Sequence, residues 1–253
     1  MCLRQSFIPV YASEEGGELN NNSIVIGGST MYLSPDEAWP TCDTCSSPLV
    51  PFVQMNVSSE NTPDAFRARF LSVPSAGGNL ATMVQLFVCR DYDCFEGAVM
   101  QEECSWILRL ATVPLVPPPS NAPHLAEGRT KIENGGGFLP PQLVETWTAG
   151  KDETLHWELD VGVRDYSDEF YNLHEPERGL KLLGHSERGK YHYEGDCAAG
   201  DCAAKQRELI QLGDQNCWDA DEALGIMGLL GNVWIQQCET HLDQLTLGMS
   251  GTW

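Results

Sequence analysis

The chain is poor in positive charge. Its 253 residues hold 15 Lys and Arg against 36 Asp and Glu, a formal net charge of -21. Holding nucleic acid by phosphate neutralisation needs clustered Lys and Arg, so that class is excluded. No apolar run approaches the roughly 18–20 residues of a membrane-spanning helix, so no membrane association is expected. Residues 1–17 carry a single Arg and no long apolar stretch, unlike a secretory leader, so the expected compartment is the cytoplasm. Catalytic signatures are missing too. Gly184-His185-Ser186 lacks the Gly-x-Ser-x-Gly form of a nucleophile elbow. Gly135-Gly136-Gly137 has no Lys-Ser/Thr after it and so does not cradle phosphate, and no His-Glu-x-x-His is found. Asp219, Asp221 and Glu222 beside Trp218 could do acid–base work, but in so acidic a chain they read as a solvated cluster.

Cysteine is what the chain has in excess: ten residues, with apolar residues at 42% of the composition. Reducing compartments disfavour disulfide frameworks, and closely spaced cysteines there point to metal.

The spacings repeat. The first half reads Gly27-Gly28, Cys42-x2-Cys45, Gln54, then Cys89-x4-Cys94; the second reads Leu183-Gly184, Cys197-x4-Cys202, Gln211, then Cys238-x2-His241. Gln54 follows Cys45 by 9 residues, and Gln211 follows Cys202 by 9. Both glutamines sit in apolar runs. In each copy a turn presents two thiols, and a later strand ends beside it with two more donors. That is how a closed tetrahedral zinc site is assembled; with no open position, it staples structure and does not activate water. The expected ligands are Cys42, Cys45, Cys89 and Cys94 in the first site, and Cys197, Cys202, Cys238 and His241 in the second. Cys2, Cys104 and Cys217 are left over, and Cys217 could replace a member of the second set.

Alternation and β-branched content predict strands over Leu49–Val57, Thr82–Cys89 and Trp106–Val113, and shorter ones at Leu209–Leu212 and Val233–Ile235. The run 203–212 also suits a helix. Pro51 inside the first of these strands suits an edge or a bulge. Residues 58–81 read as a loop. The expected organisation is a flexible arm over 1–20, a first half-repeat over 21–113, a Pro/Gly-rich connector over 114–150, and an acidic segment with the second half-repeat over 151–253. From Asp152 to Glu177 there are nine Asp and Glu against one Arg, with Ser167 placed to cap a short helix.

The string Gly27-Gly28, Trp39-Pro40-x-Cys42-x-x-Cys45-x-x-Pro48-Leu49-x-x-Phe52-Val53-Gln54, Leu86-Phe87-x-Cys89 resembles the YwqG-like family, a domain of unknown function, in a branch that bears a zinc ribbon. Lys181-Leu182-Leu183-Gly184, Leu209-Ile210-Gln211-Leu212 and Gly231-Asn232-Val233-Trp234-Ile235 resemble its second half. The resemblance implies an α+β fold, with mainly antiparallel sheets in two similar half-repeats that carry zinc-knuckle insertions, and implies no settled activity. A more distant likeness to the programmed cell death protein 2 family implies a chaperone for a basic ribosomal protein.

The expectation is therefore a non-enzymatic zinc-binding module that binds a protein partner of basic charge, chaperone-like or inhibitor-like. The strong net charge steers such a partner. The rival expectation is an enzyme or small-ligand binder that uses a cleft between the halves, lined by Gln54 and Gln211. The glutamines discriminate: they point into a pocket or they pair with backbone. A third expectation is that the thiols are free and sense oxidation.

Overall fold

The computed structural model describes residues 3–12, 24–27, 30–71, 79–89, 106–114, 120–121, 142–153, 180–184, 191–193, 196–197, 199–200, 202–212 and 232–251. The strands are β1 (Leu3–Tyr11), β2 (Ile24–Ile26), β3 (Thr30–Met31), β4 (Val50–Asn56), β5 (Leu80–Val88), β6 (Trp106–Pro114), β7 (Ser120–Asn121), β8 (Gln142–Glu153), β9 (Lys181–Leu183), β10 (Tyr191–Tyr193), β11 (Gln206–Leu212), β12 (Asn232–Cys238) and β13 (Leu245–Gly251). Eleven form one sheet in the order β10-β13-β12-β11-β9-β1-β8-β2-β4-β5-β6, and β3 and β7 pair separately. Every pairing is antiparallel. The sheet curls until β13 lies close to β6, a nearly closed barrel. Helix among the described residues is limited to α1 (Asp64–Arg67) and the 3₁₀ turn Ala68–Phe70 that continues it. The architecture is thus mostly antiparallel sheet, and the α part of the expected α+β class is small. No helix among the described residues is long and apolar enough to cross a membrane.

The strands expected near 49–57, 82–89, 106–113 and 233–235 are present as β4, β5, β6 and β12, and the ambiguous run 203–212 is strand β11. Three regions differ. Most of the expected arm over 1–20 that is described is strand β1, placed between β8 and β9 near the middle of the sheet. The later part of the expected connector is strand β8, which starts at Gln142. The expected loop 58–81 contains α1, whose Phe66 is buried with Phe70 in the main core. The short helix expected at Ser167 and the Asp219 cluster lie outside the described residues.

Pro51 is explained by the ladder. β4 lies between β2 and β5, so it is no edge, but its pairing with β5 shifts register between Pro51 and Val53. A bulge tolerates the missing amide.

Alternation along β5 sorts the side chains. Val84, Leu86 and Val88 point into the barrel, where they join Ile24, Ile26, Phe52 and Met55 with Leu182, Leu209, Leu212, Val233 and Ile235 in one apolar core. Met83, Gln85, Phe87 and Cys89 therefore point outward. Those outward residues are buried as well, because residues 30–49 lie across them. Tyr32 packs with Ala81 and Met83, and Met31, Leu49, Cys42 and Trp39 pack with Phe87 and Cys89. Covering both faces is why β4 and β5 read as nearly continuous apolar runs.

A polar ladder crosses this covered face. Gln54, Gln85 and Arg109 are successive cross-strand partners on β4, β5 and β6. Gln54 Oε1 accepts from the Tyr32 amide at 2.7 Å, and Gln85 Nε2 donates to the Tyr32 carbonyl at 2.6 Å. Arg109 Nε donates to Gln85 Oε1 at 2.9 Å, its guanidinium stands 5.3 Å from the Phe87 ring centroid, and it pairs with Glu37. Buried amides stay stable only when so partnered. The ladder fixes the segment that carries the first Cys pair.

Candidate metal centres

The first cluster forms where that covering segment turns back. Thr41 and Pro48 bridge, the Cys42 amide donates to the Ser47 carbonyl at 2.8 Å, and the Ser46 amide donates to the Cys42 carbonyl at 2.8 Å. Ser46 takes the left-handed conformation, with φ 60°, which tightens the turn. Trp39 Nε1 donates to the Leu49 carbonyl at 2.8 Å, and its ring meets Phe87 edge-on at 6.2 Å. The turn thereby sets Cys42 and Cys45 over Cys89, the next residue after β5. Cys45 Sγ and Cys89 Sγ are 3.7 Å apart, and the three sulfurs lie within 4.8 Å of one another. Cys42 and Cys89 are buried; Cys45 is half-buried. Cys94, the expected fourth donor, lies outside the described residues, as do Cys2, Cys104 and Cys217.

The second cluster is complete. Cys202 Sγ lies 3.6 Å from Cys238 Sγ, and His241 Nδ1 lies 3.5 Å from Cys197 Sγ and 3.7 Å from Cys238 Sγ. All four donor atoms lie within 4.8 Å of one another. Cys238 ends β12, and its parity with Trp234 and Gln236 puts it on the face opposite Val233 and Ile235. A turn then returns His241: the His241 carbonyl accepts from the Gln244 amide at 2.9 Å, and the Gln244 carbonyl accepts from the Cys238 amide at 3.2 Å. Both clusters can hold a metal ion.

Electrostatics prepares Cys238 for that. Burial opposes its ionisation, but the amides of His241 and Thr240, at 3.3 and 3.4 Å from Sγ, and the His241 ring favour the thiolate. The balance lowers the thiol from an ordinary 9.0 to about 6. Cys197 moves the other way. The Ala199 amide favours its thiolate, but burial and the neighbouring Cys238 and Cys202 outweigh it and raise the value. Ligands with their own hydrogen-bond partners are held in place for a metal.

Seven of the eight expected donors are thus brought together in two groups, and the eighth is not described. The glutamines expected to line a cleft are buried, and Gln54 pairs with the backbone of Tyr32. Residues missed in the sequence are the supporting ones: the Thr240 amide, the Trp39 indole, and Arg109 with Glu37. Only the Trp39-Pro40 pair next to Cys42 gave a local signal. The two clusters lie at opposite ends of the barrel: each precedes the first strand of its hairpin, β4 or β11, and five antiparallel steps make those strands run oppositely. No family model and no curated protein matches the chain.

Proposed function

We propose that the chain is a zinc-stapled protein-interaction module, in which two structural zinc sites clamp turns onto strand ends and the acidic exterior receives a basic protein partner. The observation that carries the zinc assignment is the spacing of the second cluster. Zn–S bonds of about 2.3 Å put two sulfurs of a tetrahedron about 3.8 Å apart, and a Zn–N bond of about 2.0–2.1 Å puts nitrogen and sulfur about 3.5 Å apart. The Cys202–Cys238, Cys197–His241 and Cys238–His241 separations of 3.6, 3.5 and 3.7 Å match those edges. Three soft sulfurs with one imidazole suit zinc, and four protein donors leave no position for a reacting water. Cys197, Cys202, Cys238 and His241 would hold one ion; Cys42, Cys45 and Cys89, with Cys94 as the expected fourth donor, would hold the other.

The reading includes the duplication. The strands β2-β4-β5-β6 and β9-β11-β12-β13 flank the β1–β8 pair in mirrored order. Both hairpins carry a register shift at corresponding places, Pro51/Val53 and Glu208/Ile210, each 157 residues apart (208 minus 51, 210 minus 53). Gly27 and Gly184 both take positive φ just after β2 and β9. These correspondences support two copies of one half-repeat, each with its own knuckle, that together would make one YwqG-like unit.

The partner assignment rests on the net charge of -21, which attracts basic surfaces over long range. Metal content per chain, measured by plasma mass spectrometry on protein purified without a metal-affinity tag, tests the staple. Two zinc ions per chain are expected, with Cys42→Ser and Cys238→Ser each lowering the count by one; a metal-free chain refutes it. Co-purification from lysate tests the partner, and recovery of only neutral or acidic proteins counts against it.

A further inference from the structure

Within the second cluster the donors are not equivalent in access or in what they join. Cys202 is half-buried and precedes β11 by a few residues; Cys238 is fully buried at the end of β12, opposite Gln206 of β11. Their sulfurs, 3.6 Å apart, need to close to about 2.05 Å to bond. Cys197 also neighbours Cys202 and Cys238, but it is buried, lies against His241 Nδ1 at 3.5 Å, and is the less accessible of the two knuckle thiols. The Cys202–Cys238 pair therefore ties the same two pieces that the metal ties, the knuckle and the strand end. The first cluster repeats the relation, with half-buried Cys45 from the turn 3.7 Å from buried Cys89 at the end of β5.

We propose that Cys202 and Cys238 form a peroxide-sensitive disulfide that replaces the metal as the clamp, so that oxidation ejects zinc while the knuckle stays docked. This rests on the zinc reading of that site. The oxidant reaches the exposed side of Cys202 first. Its sulfur attacks a peroxide oxygen and becomes a sulfenic acid as the other oxygen leaves as water. Cys238 sulfur then attacks Cys202 sulfur and expels hydroxide, which takes up a proton. In total two thiolates, one hydrogen peroxide and two protons give one disulfide and two waters. Cys197 and His241 alone do not retain the ion. The knuckle then opens only when the site is both reduced and metal-free.

The test follows zinc-loaded, full-length protein under hydrogen peroxide. A chromophoric chelator reads released zinc, and non-reducing peptide mass spectrometry maps the disulfides. Trypsin reads the release of the knuckle and the adjoining start of β11, at Lys205 and Arg207. The starting metal content decides the zinc reading by itself; the disulfide map and the digestion decide this one. Expected is a Cys202–Cys238 disulfide that grows in step with zinc release. Cleavage after Lys205 and Arg207 is expected to be at least tenfold slower in the oxidised metal-free chain than in the reduced, chelated chain. A Cys197–Cys202 disulfide, or sulfinic acid in place of a disulfide, overturns the proposal, as does equal cleavage of the two metal-free forms. Variants separate the clamp from metal binding. Cys197→Ser is expected to lose the second zinc yet become trypsin-resistant on oxidation, and Cys202→Ser to lose both. If Cys197→Ser stays sensitive after oxidation, the clamp is refuted.

Discussion

Cys238 is the residue on which the second centre turns. It touches Cys202, His241 and two amides, and it ends the strand that anchors the site. Its folded-state value of about 6 lies below the ordinary thiol value of 9.0. The sign follows from that: the charged form is favoured in the folded protein, this preference is complete above the ordinary value, and it is lost as the pH falls through about 6. Protons therefore compete with the metal for Cys238 only in acid. On acidification from pH 8 to 5, a metal ion loaded into the second cluster is expected to stay bound at pH 7 and to leave below about pH 6, read with a chelating dye on the zinc-loaded Cys42→Ser variant, in which the first cluster is broken. Loss already at pH 7 contradicts this. At this scale the sequence was informative, because ligand spacing is local: Cys42-x2-Cys45 and Cys238-x2-His241 each lie in one turn. What pairs with them was not legible, because the Thr240 amide carries no side-chain signature and Arg109 meets Glu37 only after three strands have aligned.

Elements show why similar ladders need not carry similar side chains. On one flank Gln54, Gln85 and Arg109 lie side by side across β4, β5 and β6. At the corresponding register on the other flank stand Gln211, Trp234 and Gly248. Trp234 is fully buried, and its indole lies over Gly248, where an added Cβ overlaps Nε1 and Cε2. The absent side chain at 248 is thus the space the indole fills. Gly248→Ala forces the ring or the strand to move, and overpacking of this kind costs about 1–3 kcal/mol. Urea denaturation with tryptophan fluorescence checks it, and an unchanged midpoint contradicts the packing. Apolar alternation made β5 and β12 legible. Residues 245–251 alternate as well, but Thr246, Gly248 and Ser250 are small, and the strand is recognised only with Trp234 beside it. β9 has three residues, too short for any period.

For the whole molecule, β1 is the decisive strand. It precedes the first flank in sequence, yet it pairs with β9 of the second flank, while β8, which precedes the second flank, pairs with β2 of the first. β1 and β8 pair with each other from Leu3↔Glu153 to Tyr11↔Val144. Each flank thus closes on a strand that belongs in sequence to the other, and no sequence reading of residues 1–20 as a polar arm contains that exchange. Polar residues mask it: Arg4, Gln5 and Ser6 break the apolar pattern, although Ser6 is fully buried against Gly150, where a Cβ would stand 2.8 Å from Ser6 Oγ. Deleting residues 1–11 removes one of the two neighbours of β8 and of β9 and divides the sheet into β10-β13-β12-β11-β9 and β8-β2-β4-β5-β6. The core that spans both, from Phe52 and Leu86 to Leu182 and Ile235, then loses the strand that holds its two walls in register. In the full chain, tryptophan fluorescence and zinc release are expected to report one urea transition, since a single core unfolds as a unit. In the truncated chain the two signals are expected to separate, with zinc lost at the lower urea concentration, or the chain to be recovered only as aggregate through its bare strand edges. A truncated chain that keeps one transition at the original midpoint would show that the arm, and not the exchange, is the better description of those residues.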